Sequence, residues 1–93
     1  MDERKIEAIL KSYIEGYNSL GFSGVYGLRD RMERNGDNEE RVLGHLITGI
    51  LEKNLGGKTS VGRLYNIDEE ACRNILNEIR NYTIVDKRES ENA

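Results

Sequence analysis

The sequence predicts a small all-α domain, a helical bundle of about five helices. The chain of 93 residues contains no proline, which would interrupt helices, and it has little of the alternating apolar pattern that is typical of β-strands. Several stretches instead carry apolar residues at intervals of three and four, as one face of a helix requires. We expect a single domain over residues 1–88 and a polar, disordered tail over residues 86–93.

The first predicted helix covers residues 1–20. Its apolar residues form a stripe with heptad-like spacing: Ile6, Leu10, Tyr13, Tyr17 and Leu20, broadened by Ile9 and Ile14. This stripe predicts an amphipathic helix that packs on the core of its own domain. A seam between two copies of the chain, formed by residues 6–20, is the alternative.

Glycines mark the region that follows this helix. Gly21, Gly24 and Gly27 recur at intervals of three, and glycine's backbone freedom predicts a turn or a loosely helical link here. A short amphipathic helix is expected after the link, at residues 25–34, with several arginines on its exposed side.

A central helix is predicted at residues 39–55. An Asn-Gly-Asp-Asn turn precedes it, in which Asp37 or Asn38 can cap the helix, and its apolar residues are numerous enough to be buried on more than one side. Gly44 and Gly49 each weaken such a helix by about 1 kcal/mol relative to alanine. We therefore expect another helix to cross closely at these two glycines.

The segment 59–82 carries the one motif that is informative about function. At the required spacing it has a small residue, Gly62, a residue suited to a tight turn, Asn66, and an apolar residue on the second helix, Cys72. Asp68 is placed to cap the second helix. The supporting apolar positions of the motif are filled by Val61, Tyr65, Ile67 and Ile75. The segment resembles the helix-turn-helix of transcriptional regulators.

This resemblance implies a tri-helical core at residues 37–82, in which a helix near residues 60–65 precedes a recognition helix near residues 68–82. The recognition helix would enter the major groove of double-stranded DNA. A full wing is not expected, because only residues 82–85 are strand-like afterwards. The residues that would face DNA are Arg73, Asn74 and Asn77 at base edges and Lys58, Ser60, Arg63 and Arg80 at phosphates.

The charge pattern leaves two functions open. The net charge is −3, and residues 58–88 carry six basic and five acidic side chains, so no basic stripe is present and strong non-specific phosphate binding is not expected. We predict a DNA-binding regulator that acts as a homodimer, since one short recognition helix seldom supplies enough contacts. The alternative is a protein-binding adaptor or regulatory module that keeps the motif only as a fold element.

The sequence offers no catalytic or metal centre. His45 has no histidine or cysteine partner at metal-binding spacing, and the sole cysteine, Cys72, is expected to be a small buried hydrophobe. A phosphate-binding loop around residues 56–60 is excluded, because its first glycine would have to replace Glu52. We therefore expect no enzyme activity and no cofactor. The chain also lacks a long apolar run and a secretory signal, so we predict a cytoplasmic protein without membrane contact.

Overall fold

A computed structural model describes residues 2–56 and 66–92, with side chains as far as Tyr82. These residues form four helices: α1 (Glu3–Leu20), α2 (Phe22–Asn35), α3 (Asn38–Leu55) and α4 (Glu69–Asn92). No strand occurs in the described ranges, which confirms the all-α prediction there. The short helix predicted near residues 60–65 lies outside the described residues, so the fifth helix stays a prediction.

The helices run in alternating directions along the bundle. α2 is antiparallel to α1, α3 is antiparallel to α2, and α4 is antiparallel to α1. The contacts that fix these directions are Tyr13–Met32 and Tyr17–Phe22 between α1 and α2, Tyr26–Glu52 and Glu33–His45 between α2 and α3, and Asn18–Ile67 and Glu3–Arg80 between α1 and the α4 segment.

The core lies where α1 and α3 face each other. Within the described ranges, α2 packs on one side of this helix pair and α4 packs on the other, without contact between α2 and α4. The buried apolar residues of the three N-terminal helices are Ile6, Ile9, Leu10, Tyr13, Ile14, Tyr17, Val25, Leu43, Ile47, Ile50 and Leu51. Burial of this apolar surface is the main source of the domain's stability.

The apolar stripe of α1 packs on the core of its own domain, which confirms the first of the two alternatives that the sequence offered. All of its residues from Ile6 to Tyr17 are buried, whereas the side chain of Leu20 is 67% exposed. A seam between two copies at residues 6–20 would therefore have only Leu20 of this stripe available on the surface.

Local capping explains where α3 begins. The Asp37 carboxylate accepts a hydrogen bond from the Glu40 backbone N–H at 2.8 Å, and the Glu40 carboxylate accepts one from the Asp37 N–H at 3.1 Å. This reciprocal arrangement satisfies backbone donors that the first turn of a helix leaves unpaired. Asp37 is thus the capping residue, one of the two candidates that the sequence offered. Gly56 ends the helix.

The turn between α1 and α2 needs only one glycine. Gly21 has a φ of 64°, a conformation that favours glycine, and α2 begins directly after it at Phe22. Of the two alternatives predicted for residues 21–27, the turn is confined to Gly21, and the rest of the segment is helical. Gly24 lies within α2 and touches the backbone of α1: a Cβ built on Gly24 would lie 2.7 Å from the carbonyl carbon of Gly16.

The two glycines of α3 differ in their surroundings. A Cβ on Gly44 would lie 2.5 Å from the Tyr13 hydroxyl oxygen, which confirms the predicted close crossing at that position. Burial in this crossing raises the pKa of Tyr13 to about 12. A Cβ on Gly49 would meet nothing within 4 Å, so the prediction of a close crossing at Gly49 was wrong among the described residues.

Helix α4 begins as predicted but is longer. Asp68 caps it, since its carboxylate accepts a hydrogen bond from the Ala71 N–H at 2.9 Å. The sequence predicted an end near Tyr82, followed by a strand-like segment and a polar tail at residues 86–93. The structure instead continues α4 to Asn92. Residues 69–92 contain neither glycine nor proline, so nothing in the local sequence terminates the helix earlier. None of the described helices is long and apolar enough to cross a membrane.

Candidate nucleic-acid interface

The start of α4 is fixed to the end of α1 by a single side chain. The Asn18 carboxamide oxygen accepts a hydrogen bond from the Ile67 backbone N–H at 2.7 Å, and its nitrogen donates to the Ile67 carbonyl at 3.4 Å. The carboxamide thereby pairs with both polar backbone groups of a residue that stands just before the Asp68 cap. This two-way bond sets where α4 begins relative to α1.

The inner face of α4 is apolar and packs on the core. Ile67, Ile75 and Ile79 are buried, and Cys72 is partly buried beside them. Burial raises the pKa of the Cys72 thiol, which agrees with the predicted packing role rather than a reactive one. Ile67, just before the helix, and Ile75 within it thus lie on its buried side. Because the inner face is held in this way, the opposite face of α4 must point to solvent.

The outer face of α4 carries the residues that the sequence assigned to base edges. Arg73, Asn74 and Asn77 are exposed and, at spacings of three and four residues, share one side of the helix with Glu70 and Asn81. Among the described residues, Arg73 makes no ion pair and no side-chain hydrogen bond. The face is therefore polar, rich in carboxamides and close to neutral.

Arg80, assigned to phosphate by the sequence, is bound to carboxylates in the structure. Its guanidinium pairs with Glu3 and, at 3.8 Å, with Glu7 on α1, and it donates to the Asn77 carboxamide oxygen at 3.2 Å. A phosphate would have to compete with these two carboxylates for the same donors. The remaining predicted phosphate contacts, Lys58, Ser60 and Arg63, lie outside the described residues, as do the motif residues Val61, Gly62 and Tyr65.

Acidic side chains surround the start of the helix. Glu69 and Glu70 are exposed in its first turn, where negative charge stabilises the positive end of the helix dipole. Glu78 binds Lys53 of α3 at 3.2 Å, so this lysine is also neutralised locally. Few unpaired basic groups therefore stand beside α4 in the described part of the chain.

A cleft of about 180 Å³ opens between the end of α3 and the start of α4. Leu55, Ala71 and Ile75 are among its apolar lining residues, and its polar lining includes the carboxamides of Asn54 and Asn74 and the carboxylate of Glu78. Asn66, the predicted turn residue of the motif, is exposed and also borders the cleft. Asn74 thus belongs both to the outer face of α4 and to this cleft.

The residues that the sequence did not reveal are those that hold α4 from a distance. Asn18 lies 49 residues before its partner Ile67, and Glu3 lies 77 residues before Arg80. Neither pair could be predicted from a local pattern, because residues this far apart in the sequence come into contact only through the tertiary fold. The charged residue Glu78 was likewise not singled out, although it links α4 to two residues of α3.

The described residues contain no cluster of three or more potential metal ligands. The imidazole Nε2 of His45 lies 2.8 Å from a carboxylate oxygen of Glu33, and both side chains are exposed. The histidine thus forms a surface hydrogen bond between α2 and α3.

No protein-family model matches the chain, and no match was found among curated proteins or solved structures.

Proposed function

We propose that the chain is a small DNA-binding regulator in which α4 reads the major groove of double-stranded DNA. The observation that carries this proposal is the outer face of α4: Arg73, Asn74 and Asn77 are exposed together on the side opposite the buried isoleucines. A helix packed on one side of a bundle, with its other side exposed, has the form that a major groove admits.

The side chains on this face suit base edges. The guanidinium of Arg73 can donate two hydrogen bonds to the O6 and N7 atoms of guanine, and a carboxamide such as that of Asn74 can match the N6 and N7 atoms of adenine. Each such pair distinguishes the correct base from a wrong one by about 1–3 kcal/mol. Two or three of these contacts specify a short half-site.

The charges predict weak and strongly sequence-dependent binding. Arg80 and Lys53 are paired with carboxylates, and Glu69 and Glu70 would lie near the phosphate backbone. Since non-specific affinity comes mainly from phosphates neutralised by basic residues, we expect little binding to unrelated duplexes and a shallow dependence on salt. Two copies on paired half-sites would supply the missing affinity.

The experiment is selection from a pool of random-sequence duplexes at low and at physiological salt. The natural protein is compared with a double variant, Arg73→Ala with Asn74→Ala. Arg34→Ala with Asn35→Ala is the matched control, because it removes the same adjacent side-chain types from the exposed end of α2. We expect the natural protein and the control to enrich the same site and the α4 variant to enrich none.

Either of two results would contradict the proposal. One is the absence of any enrichment at low salt by the natural protein. The other is enrichment of the same site by the α4 variant, which would show that another surface binds DNA.

A second candidate function, protein binding, is favoured by the cleft between α3 and α4. Its apolar walls and the Asn74 carboxamide are suited to an extended peptide, whose backbone groups a carboxamide can pair with. The nitrogen of the second lining carboxamide, Asn54, already donates to the Ile50 carbonyl and to Glu78, so only its oxygen remains to accept from a peptide. Selection from a random peptide library tests this function. Peptides whose binding is abolished by Ala71→Glu, a change inside the cleft, and not by Arg34→Ala would support it.

A further inference from the structure

A network of polar contacts joins α1 to the outer face of α4. Arg80 is half-buried at the border between the two helices, and its guanidinium binds the Glu3 carboxylate through Nε and Nη2. Glu7 adds a second carboxylate at 3.8 Å. The remaining nitrogen, Nη1, donates to the carboxamide oxygen of Asn77 at 3.2 Å. One planar group thus connects α1 with an exposed residue of the face that we propose to read DNA.

The contact with Arg80 determines which end of the Asn77 carboxamide faces outward. A guanidinium carries only hydrogen-bond donors, so it must pair with the carboxamide oxygen and cannot pair with the nitrogen. The amino group of Asn77 is therefore the part that remains to contact another molecule. Asn74 differs, because it makes no side-chain hydrogen bond among the described residues, and both of its polar groups are available.

The middle of the outer face consequently presents donors alone. Arg73 lies four residues before Asn77 on the same side of α4, and its guanidinium also only donates. In the major groove, guanine offers two acceptors, O6 and N7, whereas adenine offers the acceptor N7 and the donor amino group at N6. A donor from Asn77 placed at adenine N6 would face a second donor, and both would lose a partner.

We propose that Arg80, anchored by Glu3, is a positioning residue that holds the Asn77 carboxamide with its amino group outward, so that Asn77 selects guanine rather than adenine. This inference rests on the proposed function of α4 in reading DNA. The two asparagines of the face then differ in specificity. Asn74, with both polar groups available, can match adenine, whereas Asn77 acts only as a donor.

The orientation of Asn77 is tested first in the protein without DNA. NMR relaxation of the side-chain amino groups should give a higher order parameter for Asn77 than for Asn74. Arg80→Lys keeps the positive charge but replaces the planar fork with a compact ammonium group, so the order parameter of Asn77 should fall to that of Asn74. Equal order parameters for the two carboxamides in the natural protein would overturn the proposal.

A pair of α1 variants tests the anchoring of Arg80. Glu3→Ala removes the carboxylate that binds the guanidinium most closely. Glu15→Ala is the matched control, because Glu15 is an exposed carboxylate of the same helix that makes no ion pair among the described residues. Glu3→Ala should lower the order parameter of Asn77, and Glu15→Ala should leave it unchanged. Equal effects of the two variants would overturn the role of Glu3 as an anchor.

Competition between single-base-pair variants of the enriched duplex then tests the selection of guanine. Asn77→Ala identifies the base pair that Asn77 contacts, as the position at which discrimination is lost. At that position the natural protein should prefer guanine to adenine about tenfold, and Arg80→Lys should reduce this preference to about twofold. The ratio distinguishes positioning from a general loss of affinity, which would weaken binding to both duplexes equally.

A preference for adenine at this position in the natural protein, or an unchanged preference for guanine in Arg80→Lys, would overturn the proposal. Failure of the natural protein to enrich any duplex would contradict the proposed function instead. The two failures are distinguishable, because the order parameters determine the orientation of Asn77 without DNA.

Discussion

Helices α2 and α4 pack on opposite sides of the same helix pair, but they are held in different ways. α2 meets α1 backbone to backbone at Gly16 and Gly24, and the Tyr17 and Phe22 rings pack edge to face at 5.3 Å. α4 buries isoleucines, and polar side chains bind it at its start, through Asn18, and near its middle, at Glu78 and Arg80. Close backbone packing therefore dominates the contact of α2 with α1, whereas side-chain hydrogen bonds and ion pairs join α4 to α1 beside its buried isoleucines.

Because of this difference, we expect substitutions at the two contacts to have different effects on stability. A change at the α1–α2 crossing should lower the stability of the whole domain, since the close backbone approach cannot relax. A change in the polar bonds of α4 should instead loosen one helix locally. We therefore expect the outer face of α4, which we propose to read DNA, to tolerate changes in the polar bonds of the helix, but not changes in its buried isoleucines.

The largest expected effect is at the α1–α2 crossing. Gly24→Ala places a Cβ against the Gly16 backbone and should lower the free energy of unfolding by about 2 kcal/mol. Gly27→Ala, three residues later on the same helix, meets nothing within 4 Å and should raise it by about 1 kcal/mol. Urea unfolding followed by circular dichroism measures both. Effects of the same sign at the two positions would argue against a close crossing.

A substitution at the contact between α1 and the start of α4 should have a smaller and more local effect on stability. Asn18→Ala removes both hydrogen bonds to Ile67, one of which protects its backbone N–H. Since a net hydrogen bond contributes about 1 kcal/mol, hydrogen exchange of the Ile67 amide should become about fivefold faster. Ser12→Ala is the control, because the Ser12 hydroxyl bonds only within α1, to the Ala8 carbonyl. Equal acceleration of exchange throughout α1, α2 and α3 would contradict a local role for Asn18.

The smallest expected effect on stability depends on pH and comes from the ion pair between the first turn of α1 and the cap of α3. Lys5 lies 2.8 Å from the Asp37 carboxylate, and its hydrogen bond, with that from the Glu40 N–H, holds the pKa of Asp37 below its ordinary value of 3.8. Because the folded state has the lower pKa, this carboxylate stabilises the fold above pH 3.8 and loses that contribution as the pH falls through the folded value.

Comparison of the natural protein with Asp37→Asn between neutral pH and pH 2 tests this dependence on acid. The difference in unfolding free energy between the two proteins should be constant at neutral pH and shrink in acid. A difference that stays constant down to the lowest pH would show that Asp37 has the same pKa in both states.

The features that the sequence predicted correctly depend on neighbouring residues. The buried stripe of α1 follows from its spacing, and the caps at Asp37 and Asp68 follow from the residue types that precede each helix. A helical continuation after Tyr82 was missed, because β-branched residues favour a strand locally although nothing there ends a helix.

The features that were missed depend on residues far apart in the chain. Gly44 and Gly49 look alike in sequence, and only the position of Tyr13 distinguishes them. Two further contacts likewise form only when α4 packs against α1: the hydrogen bonds between Asn18 and Ile67, and the ion pair between Arg80 and Glu3. The outer face of α4 could be predicted from periodicity, whereas the pairing that occupies Arg80 could not.

The measurement that tests the proposed function most directly is an NMR titration of the natural protein, at low salt, with the duplex that the selection enriches. The account predicts that signal changes concentrate at residues 69–81 and include the side-chain amide groups of Asn74 and Asn77. No change at any residue, or changes confined to the α1–α2 surface on the other side of the bundle, would contradict the proposal that α4 binds DNA.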